Sequence, residues 1–281
     1  MNHVLRYSAF DRDGEGGNPA GVVLDAADAT EEWMQRTAAE VGYSETAFLV
    51  ADLGPRHHRI RYFSPLAEVA FCGHATIATA VALAGRDGIG EFVLTTPAGD
   101  VVVDTAVEDG RVAATLTSVA PAVREVEPGD LETALEALGW GAADLDPALP
   151  PRIAFAGNDH LVLAAATRAR LADLDYDQAA LGAFMADRGW TTVHLVWRAD
   201  DTRFHARDPF PPGGVREDPA TGAAAAAFGA YLRELGLVEA PARITLHQGE
   251  DMGRPSRLRV AIPAGADSGI RVGGTATEIT E

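Results

Sequence analysis

The sequence contains no lysine; all 23 of its basic residues are arginine. That absence removes every mechanism built on a lysine amine, including the Schiff base to pyridoxal phosphate, the aldolase imine and the phosphate-binding lysine of a P-loop. Cys72 is the single cysteine, so an internal disulfide, a paired-thiol redox motif, a cysteine-based zinc or iron–sulfur site and a racemase with two opposed thiols are not expected. None of the six serines stands in a G-x-S-x-G pattern, and the nearest stretch, Gly42-Tyr43-Ser44-Glu45-Thr46, lacks the closing glycine. A nucleophile-elbow hydrolase is not expected. There is no run of about 18 uninterrupted apolar residues, and Met1 to Gly17 carries charges throughout without the apolar centre of a signal peptide. No membrane partner is expected, and a cytoplasmic location is.

What is present is a chain of 281 residues with 47% hydrophobic and 23% charged residues, a net charge of −18 and a pI near 4.7. The length suggests two domains rather than one. The acidic balance opposes binding to a phosphate backbone, whose affinity depends on clustered Lys and Arg, so no nucleic-acid partner is expected.

Two segments read as helices without a polar face. One is 73–84, Gly73-His74-Ala75-Thr76 onward, with Gly85 as its stop; the other is 222–235, from Gly222 through five alanines, Phe228 and Tyr231, with Gly236 as its stop. A helix that is apolar nearly all round must be surrounded by protein, and both are far too short to span a bilayer. Short Val/Ile/Leu/Phe runs alternate with turn residues around them, as at Phe92 to Leu94, Val101 to Val103, Val112 to Leu116, Thr192 to Trp197 and Leu258 to Ile262. Amphipathic helices are expected over 31–41, 131–138 with Asp130 as N-cap, and 178–188.

The chain also repeats itself. Gly17-Asn18-Pro19 before Val22-Val23-Leu24 resembles Gly157-Asn158-Asp159 before Leu161-Val162-Leu163, at an offset of 140. Thr46 to Val50 resembles Thr192 to Val196, and Cys72-Gly73-His74 stands against Asp218-Pro219-Ala220 ahead of Gly222, both at an offset of 146. The expected fold class is therefore α+β, with two similar domains related by a pseudo-twofold, each a curled mixed sheet (barrel-like) around a central apolar helix. The expected domains are 1–120 and 121–281, divided in the polar stretch from Ser118 to Gly129.

In such a duplicated fold the two helix heads can face one cleft. A helix N-terminus offers unpaired N–H groups and about half a positive charge, so two of them suit a small carboxylate and an enolate-like anion formed beside it. His74 and Asp218 lie close enough to these heads to act there, and Glu45 opens the apolar run Thr46-Ala47-Phe48-Leu49-Val50, a setting that suits a general acid/base. Each also has a purely structural reading: a hydrogen-bonded core histidine, an N-cap aspartate and a solvated strand-end glutamate. His57-His58 would point to opposite faces of a strand, and no H-E-x-x-H occurs, so no metal is expected. Gly157-Asn158-Asp159-His160 and Gln248-Gly249 could offer backbone N–H groups or simply form turns.

Six motifs in order over nearly the whole chain closely resemble the PhzF-like phenazine biosynthesis isomerase family: Gly17-Asn18-Pro19-Ala20; Ser44-Glu45-Thr46-Ala47-Phe48; Tyr62-Phe63-Ser64-Pro65 with Glu68-Val69; Phe71-Cys72-Gly73-His74-Ala75-Thr76; Glu217-Asp218-Pro219-Ala220-Thr221-Gly222; and Gln248-Gly249 with Gly253-Arg254-Pro255-Ser256. The resemblance implies the diaminopimelate-epimerase-like fold, a homodimer, no metal and no organic cofactor. It implies that Glu45 removes and returns a substrate proton, and that His74 and Asp218 bind and orient the substrate or assist proton movement. Asn18, Gly73, Ala75, Gly157, Gly222 and Ala223 are the expected substrate-binding positions. The activity implied is isomerisation of trans-2,3-dihydro-3-hydroxyanthranilate or a related small carboxylic acid. Epimerisation or a lyase step on an amino-acid-like substrate, or carboxylate binding without turnover, are the alternatives. The epimerase relatives use two cysteines; on the resemblance, Cys72 keeps one such place and Asp218 takes the other. The family often has serine where Ala223 stands and aspartate where Ala70 stands, so this site has fewer polar contacts and a less polar or differently substituted substrate is expected.

Overall fold

The computed structural model describes residues 3–280. In chain order its elements begin with β1 (Leu5–Ala9), β2 (Asn18–Val23), α1 (Glu31–Val41), β3 (Glu45–Gly54), β4 (His57–Phe63), β5 (Glu68–Val69), α2 (Gly73–Asp87), β6 (Gly90–Thr96), β7 (Gly99–Glu108) and β8 (Arg111–Thr117). They continue with β9 (Ala122–Glu125), α3 (Pro128–Leu138), β10 (Arg152–Phe155), β11 (Asp159–Ala164), α4 (Arg168–Ala172), α5 (Gln178–Arg188), β12 (Trp190–Arg198), β13 (Arg203–Pro209), β14 (Glu217–Asp218), α6 (Gly222–Glu234), β15 (Ala242–Gln248), β16 (Ser256–Ile262) and β17 (Arg271–Glu278).

The chain forms two compact units. The first holds the residues up to Thr117 and the final stretch from Gly273; the second runs from Ser118 to Val272. The division expected from sequence, 1–120 and 121–281, places the last strand in the second half, and the structure corrects this. From Gly273 onward β17 belongs to the first unit, pairing antiparallel with β1, Tyr7 opposite Glu278 and Ala9 opposite Ala276, and also pairing with β8. A strand's partner is set by the ladder it joins, which composition does not reveal.

In the first unit the pairing runs β17, β1, β2, β3, β4, β6, β7, β8 and back to β17, a closed ring of eight strands. Closure leaves the ring without an edge strand. Inside it α2 packs against β1, β2, β3, β7 and β8, and every residue from His74 to Ala84 is buried. Alanine makes this possible, because small side chains let the surrounding strands approach the helix axis. The two buried threonines satisfy their hydroxyls locally. Thr76 and Thr79 donate to the carbonyls of Cys72 and Ala75, both at 2.7 Å, and the buried Tyr62 hydroxyl meets Thr76 at 2.6 Å. The helix outlasts its expected end at Gly85 and stops at Gly88, which has a φ of 83°. On the outer face of the sheet α1 sets Met34 and Ala38 against Val23, Phe48 and Phe63.

The second unit repeats the plan. β10 and β11 pair antiparallel, β11 and β12 parallel, β12 and β13 antiparallel, β13 and β15 parallel, and β15 and β16 antiparallel, the same alternation as β1, β2, β3, β4, β6 and β7. The two-residue strands β5 and β14 lie against β4 and β13 alike. α6 packs on β9, β10, β11 and β16 as the apolar central helix, while Leu135, Leu138, Leu171, Leu181 and Met185 of α3, α4 and α5 cover the other face. The α+β fold class with two similar domains, each a curled mixed sheet around an apolar helix, is therefore what the structure has. α3 starts earlier than expected, with Pro128 in its first turn and Glu127 rather than Asp130 as N-cap, and the short α4 was not expected. Among the described residues no helix is long and apolar enough to cross a membrane.

Candidate active site

Residues 45, 47 and 49 of β3 alternate with Thr46 and Phe48. Phe48 lies under α1, its ring 5.9 Å from that of Trp33, so the 45–47–49 face is turned toward α2. Glu45 is the first residue of that strand, after α1 ends at the left-handed Gly42 and a short turn passes through Ser44. His74 is the second residue of α2, whose N-cap is Cys72.

The fold brings these residues together. Glu45 Oε2 lies 3.4 Å from His74 Nε2, Ser44 Oγ lies 3.3 Å from the same nitrogen, and Cys72 Sγ lies 3.4 Å from His74 Nδ1. Pro19 also hydrogen-bonds the ring through its backbone; since proline has no N–H, its carbonyl is the acceptor. Burial pushes the His74 imidazole below its ordinary pKa, while the Glu45 carboxylate and the Pro19 carbonyl oppose that shift. The Glu45 side chain keeps 17% of its surface exposed against 8% for His74, so the carboxylate forms the open side of the pair.

The first turn of α2 has no side-chain cap. α1 and α5 are capped by Thr30 and Asp177, which accept from Trp33 and Ala180, whereas Cys72 makes no capping bond to α2. Its leading N–H groups are thus not taken by a cap side chain. A Cβ placed on Gly73 would meet nothing within 4 Å, leaving open space at the helix head. Ala75 is buried in the same turn of α2, and Asn18 is buried beside Pro19 in β2, opposite Ala9 in the β1–β2 ladder.

Asp218, Gly157, Gly222 and Ala223 all belong to the second unit. The head of α6 resembles that of α2, since Thr221 is an N-cap that makes no capping bond. Cys72 and Thr221 occupy matching caps 149 residues apart. This corrects the pairing of Cys72 with Asp218 at an offset of 146, because Asp218 precedes the cap by three residues. Asp218 is instead held by Thr221, whose hydroxyl donates to Oδ2 at 2.6 Å. Gly157 lies in the exposed turn before β11 with a φ of 119°. Gly222 is buried and Ala223 half-buried at the second position of α6, the place that His74 fills in α2. Ala70 is exposed ahead of α2.

Three features were missed in the sequence. Ser44 and Cys72 both touch His74, Ser44 because the start of β3 meets α2 and Cys72 from the cap of the same helix. Gln248, read as a source of backbone N–H, works through its buried amide: Nε2 donates to the Asp218 carbonyl at 2.7 Å and to Thr221 Oγ1 at 3.0 Å, and Oε1 accepts from Thr221 N at 3.1 Å. The third feature is a buried polar chain on the α6-facing side of the second sheet. Thr192 donates to Asp208 Oδ1 at 2.9 Å, His194 Nδ1 lies 3.0 Å from the same oxygen, and His160 Nδ1 lies 2.8 Å from Thr192 Oγ1. Asp208 stands directly opposite Asp218 in the β13–β14 register, so this chain supports the strand that carries Asp218.

That chain sets an acid limit on stability. Thr192 spends its one proton on Asp208, so His160 must donate through Nδ1, and its Nε2 is buried without a partner. Protonating Nε2 would strand a buried N–H. His160 is accordingly pushed down to about 4, first by burial and also by His194, against the opposing pull of Asp208 and Asp159. The unfolded chain binds the proton more readily, so the stabilisation is complete above pH about 6.5 and is lost as the pH falls toward 4, at about 3 kcal/mol in all. Urea unfolding at stepped pH should show this loss, and His160→Gln should flatten the curve in that window. An unchanged slope in the variant would contradict the assignment.

The chain's similarities agree with this geometry. Residues 7–281 match the family described as phenazine biosynthesis-like protein, PhzC-PhzF. An uncharacterized isomerase of Bacillus subtilis, YfhB, is 31% identical over 97% of this chain and 95% of its own. The trans-2,3-dihydro-3-hydroxyanthranilate isomerase of Pseudomonas chlororaphis is 31% identical over 97% of this chain and 94% of its own. The crystal structure of the Bacillus anthracis phenazine biosynthesis protein of the PhzF family superposes with a TM-score of 0.89 at 27% identity, covering 99% of this chain and 96% of that one. With a two-unit fold of apolar helices wrapped by sheet and a carboxylate–imidazole pair at the head of the first helix, the chain belongs to the phenazine biosynthesis-like PhzC-PhzF family of enzymes.

Proposed function

We propose that this protein is an isomerase that moves a proton between two carbons of a small cyclic or unsaturated carboxylic acid, using side-chain acid/base chemistry. The observation that carries the reading is the Glu45–His74 pair, 3.4 Å apart, at a helix head whose cap residue makes no capping bond. The Glu45 carboxylate takes a proton from carbon, and the released electron pair spreads over the unsaturated system toward the substrate carboxylate. The α2 N–H groups stabilise that anion, which is where fixed dipoles act most strongly. Glu45 then returns the proton to the distal carbon. His74, kept neutral by burial, orients the carboxyl group of Glu45 or a polar group of the substrate. Asp218, braced by Thr221 and Gln248, binds an amine or hydroxyl of the substrate. No organic cofactor enters this reading, and a homodimer in the cytoplasm belongs to it.

Matching of Cys72 with Thr221 favours isomerisation over a two-thiol epimerisation, since the second cap offers no thiol. The first compound to try is trans-2,3-dihydro-3-hydroxyanthranilate, the substrate in the name of the Pseudomonas chlororaphis relative, beside a panel of less polar cyclic acids. Conversion of one member by the purified protein supports the proposal; saturable binding of several with conversion of none contradicts it.

Ala223 should shape the choice among them. Ala223→Ser adds one hydroxyl at the head of α6 and is expected to shift relative kcat/KM toward the more polar acids by about tenfold, the scale of one added polar contact. An unchanged profile would remove Ala223 from the specificity argument.

A further inference from the structure

We propose that the Glu45–Cys72–His74 cluster binds one thiophilic divalent cation of the zinc type, and that the bound ion arrests the proton transfer assigned to Glu45; the arrest rests on that functional reading, whereas the binding does not. The three side chains offer a carboxylate oxygen, a thiol sulfur and a ring nitrogen within 4.8 Å of one another, the one such group of three among the described residues. His57-His58 and the lack of H-E-x-x-H bear only on local metal motifs, whereas Glu45 joins Cys72 and His74 through the packing of β3 on α2.

The spacing suits the ion. A tetrahedral zinc lies about 2.0–2.2 Å from N and O donors and about 2.3 Å from sulfur, which sets the donors about 3.3–3.6 Å apart. His74 Nε2 and Glu45 Oε2 already stand at 3.4 Å, and Cys72 Sγ is 3.9 Å from that nitrogen, so a small side-chain rotation completes the set. Cys72 and His74 sit on the first turn of one helix and Glu45 on the first residue of a strand, which holds the donors on regular elements. Three protein donors leave a fourth position, reached from the partly exposed Glu45 side, for water.

On binding, the Cys72 thiol loses its proton to solvent and its sulfur, with the His74 nitrogen and a Glu45 oxygen, donates to the metal. The carboxylate is then no longer available to accept a proton from carbon. A thiolate selects zinc over magnesium or calcium, which prefer all-oxygen sites.

The test uses reduced, chelator-treated protein titrated with zinc by calorimetry and with cobalt(II) by absorption. The expected result is one ion per chain, a thiolate-to-cobalt charge-transfer band bleached by zinc, no competition from magnesium, loss of the band in Cys72→Ala and at least tenfold weaker binding in Glu45→Gln, with circular dichroism confirming both folds. No thiolate band, or one-to-one binding undiminished in Cys72→Ala, would overturn the proposal. The spectrum needs no substrate. A protein that shows the band but turns nothing over would therefore sink the isomerase reading alone, and an active isomerase without the band would sink this inference alone.

Discussion

The Glu45→Gln variant is expected to lose turnover by roughly 10²–10⁴-fold, the contribution of a positioned general acid/base, while substrate affinity and unfolding midpoint stay close to those of the wild type. Glutamine keeps the shape of the side chain and its place at the start of β3, but its amide cannot take a proton from carbon or give one back. The fold should not suffer, because the side chain is partly exposed and its contact in this unit is an imidazole that an amide can also meet. Steady-state kinetics and urea unfolding on the same preparation separate the two effects. Near-wild-type turnover would remove Glu45 from the mechanism.

The second large effect concerns a glycine. Gly249 has a φ of 73°, and a Cβ built there would lie 2.3 Å from the Arg254 carbonyl oxygen and 2.8 Å from that of Pro219. Gly249→Ala therefore meets left-handed strain and two backbone clashes that no side-chain rotation relieves, so a loss of roughly 3 kcal/mol or more in urea unfolding is expected. Turnover should fall with it, because the displaced Pro219 adjoins Asp218, which Gln248 braces. Gly253 is the control: its φ is 72°, but open space surrounds it, and Gly253→Ala should cost only about 1–2 kcal/mol. Equal losses at the two positions would refute the close-approach argument.

Much of the architecture was legible because the signals were local. The unpunctuated apolar runs at 73–84 and 222–235 could only be enclosed helices, and α1 and α5 have the bounds their polar patterning implies. The duplication was visible in turn chemistry, but its register was not: pairing Cys72 with Asp218 followed the letters, whereas the caps that match are Cys72 and Thr221. β17 was placed in the wrong half because its partners β1 and β8 lie far away in sequence. At the site, Glu45 and His74 could be singled out by residue type and position. The contacts of Ser44 and Pro19 with the same imidazole could not, since they depend on how β2, β3 and α2 converge. Asp208 and His194 were hidden for a simpler reason, as each looked like an ordinary strand residue until opposite strands placed them together.

The most direct test of the central claim, that Glu45 shuttles a proton between substrate carbons, is NMR in deuterated water. Wild-type protein is incubated with trans-2,3-dihydro-3-hydroxyanthranilate and the panel of cyclic acids, and deuterium is followed at each carbon, with Glu45→Gln alongside. Conversion is expected, with deuterium at the receiving carbon in the fraction of turnovers in which the partly exposed Glu45 carboxyl exchanges its proton with solvent before returning it, and neither conversion nor exchange in the variant. Conversion by Glu45→Gln at the wild-type rate, with the same labelling, would contradict it.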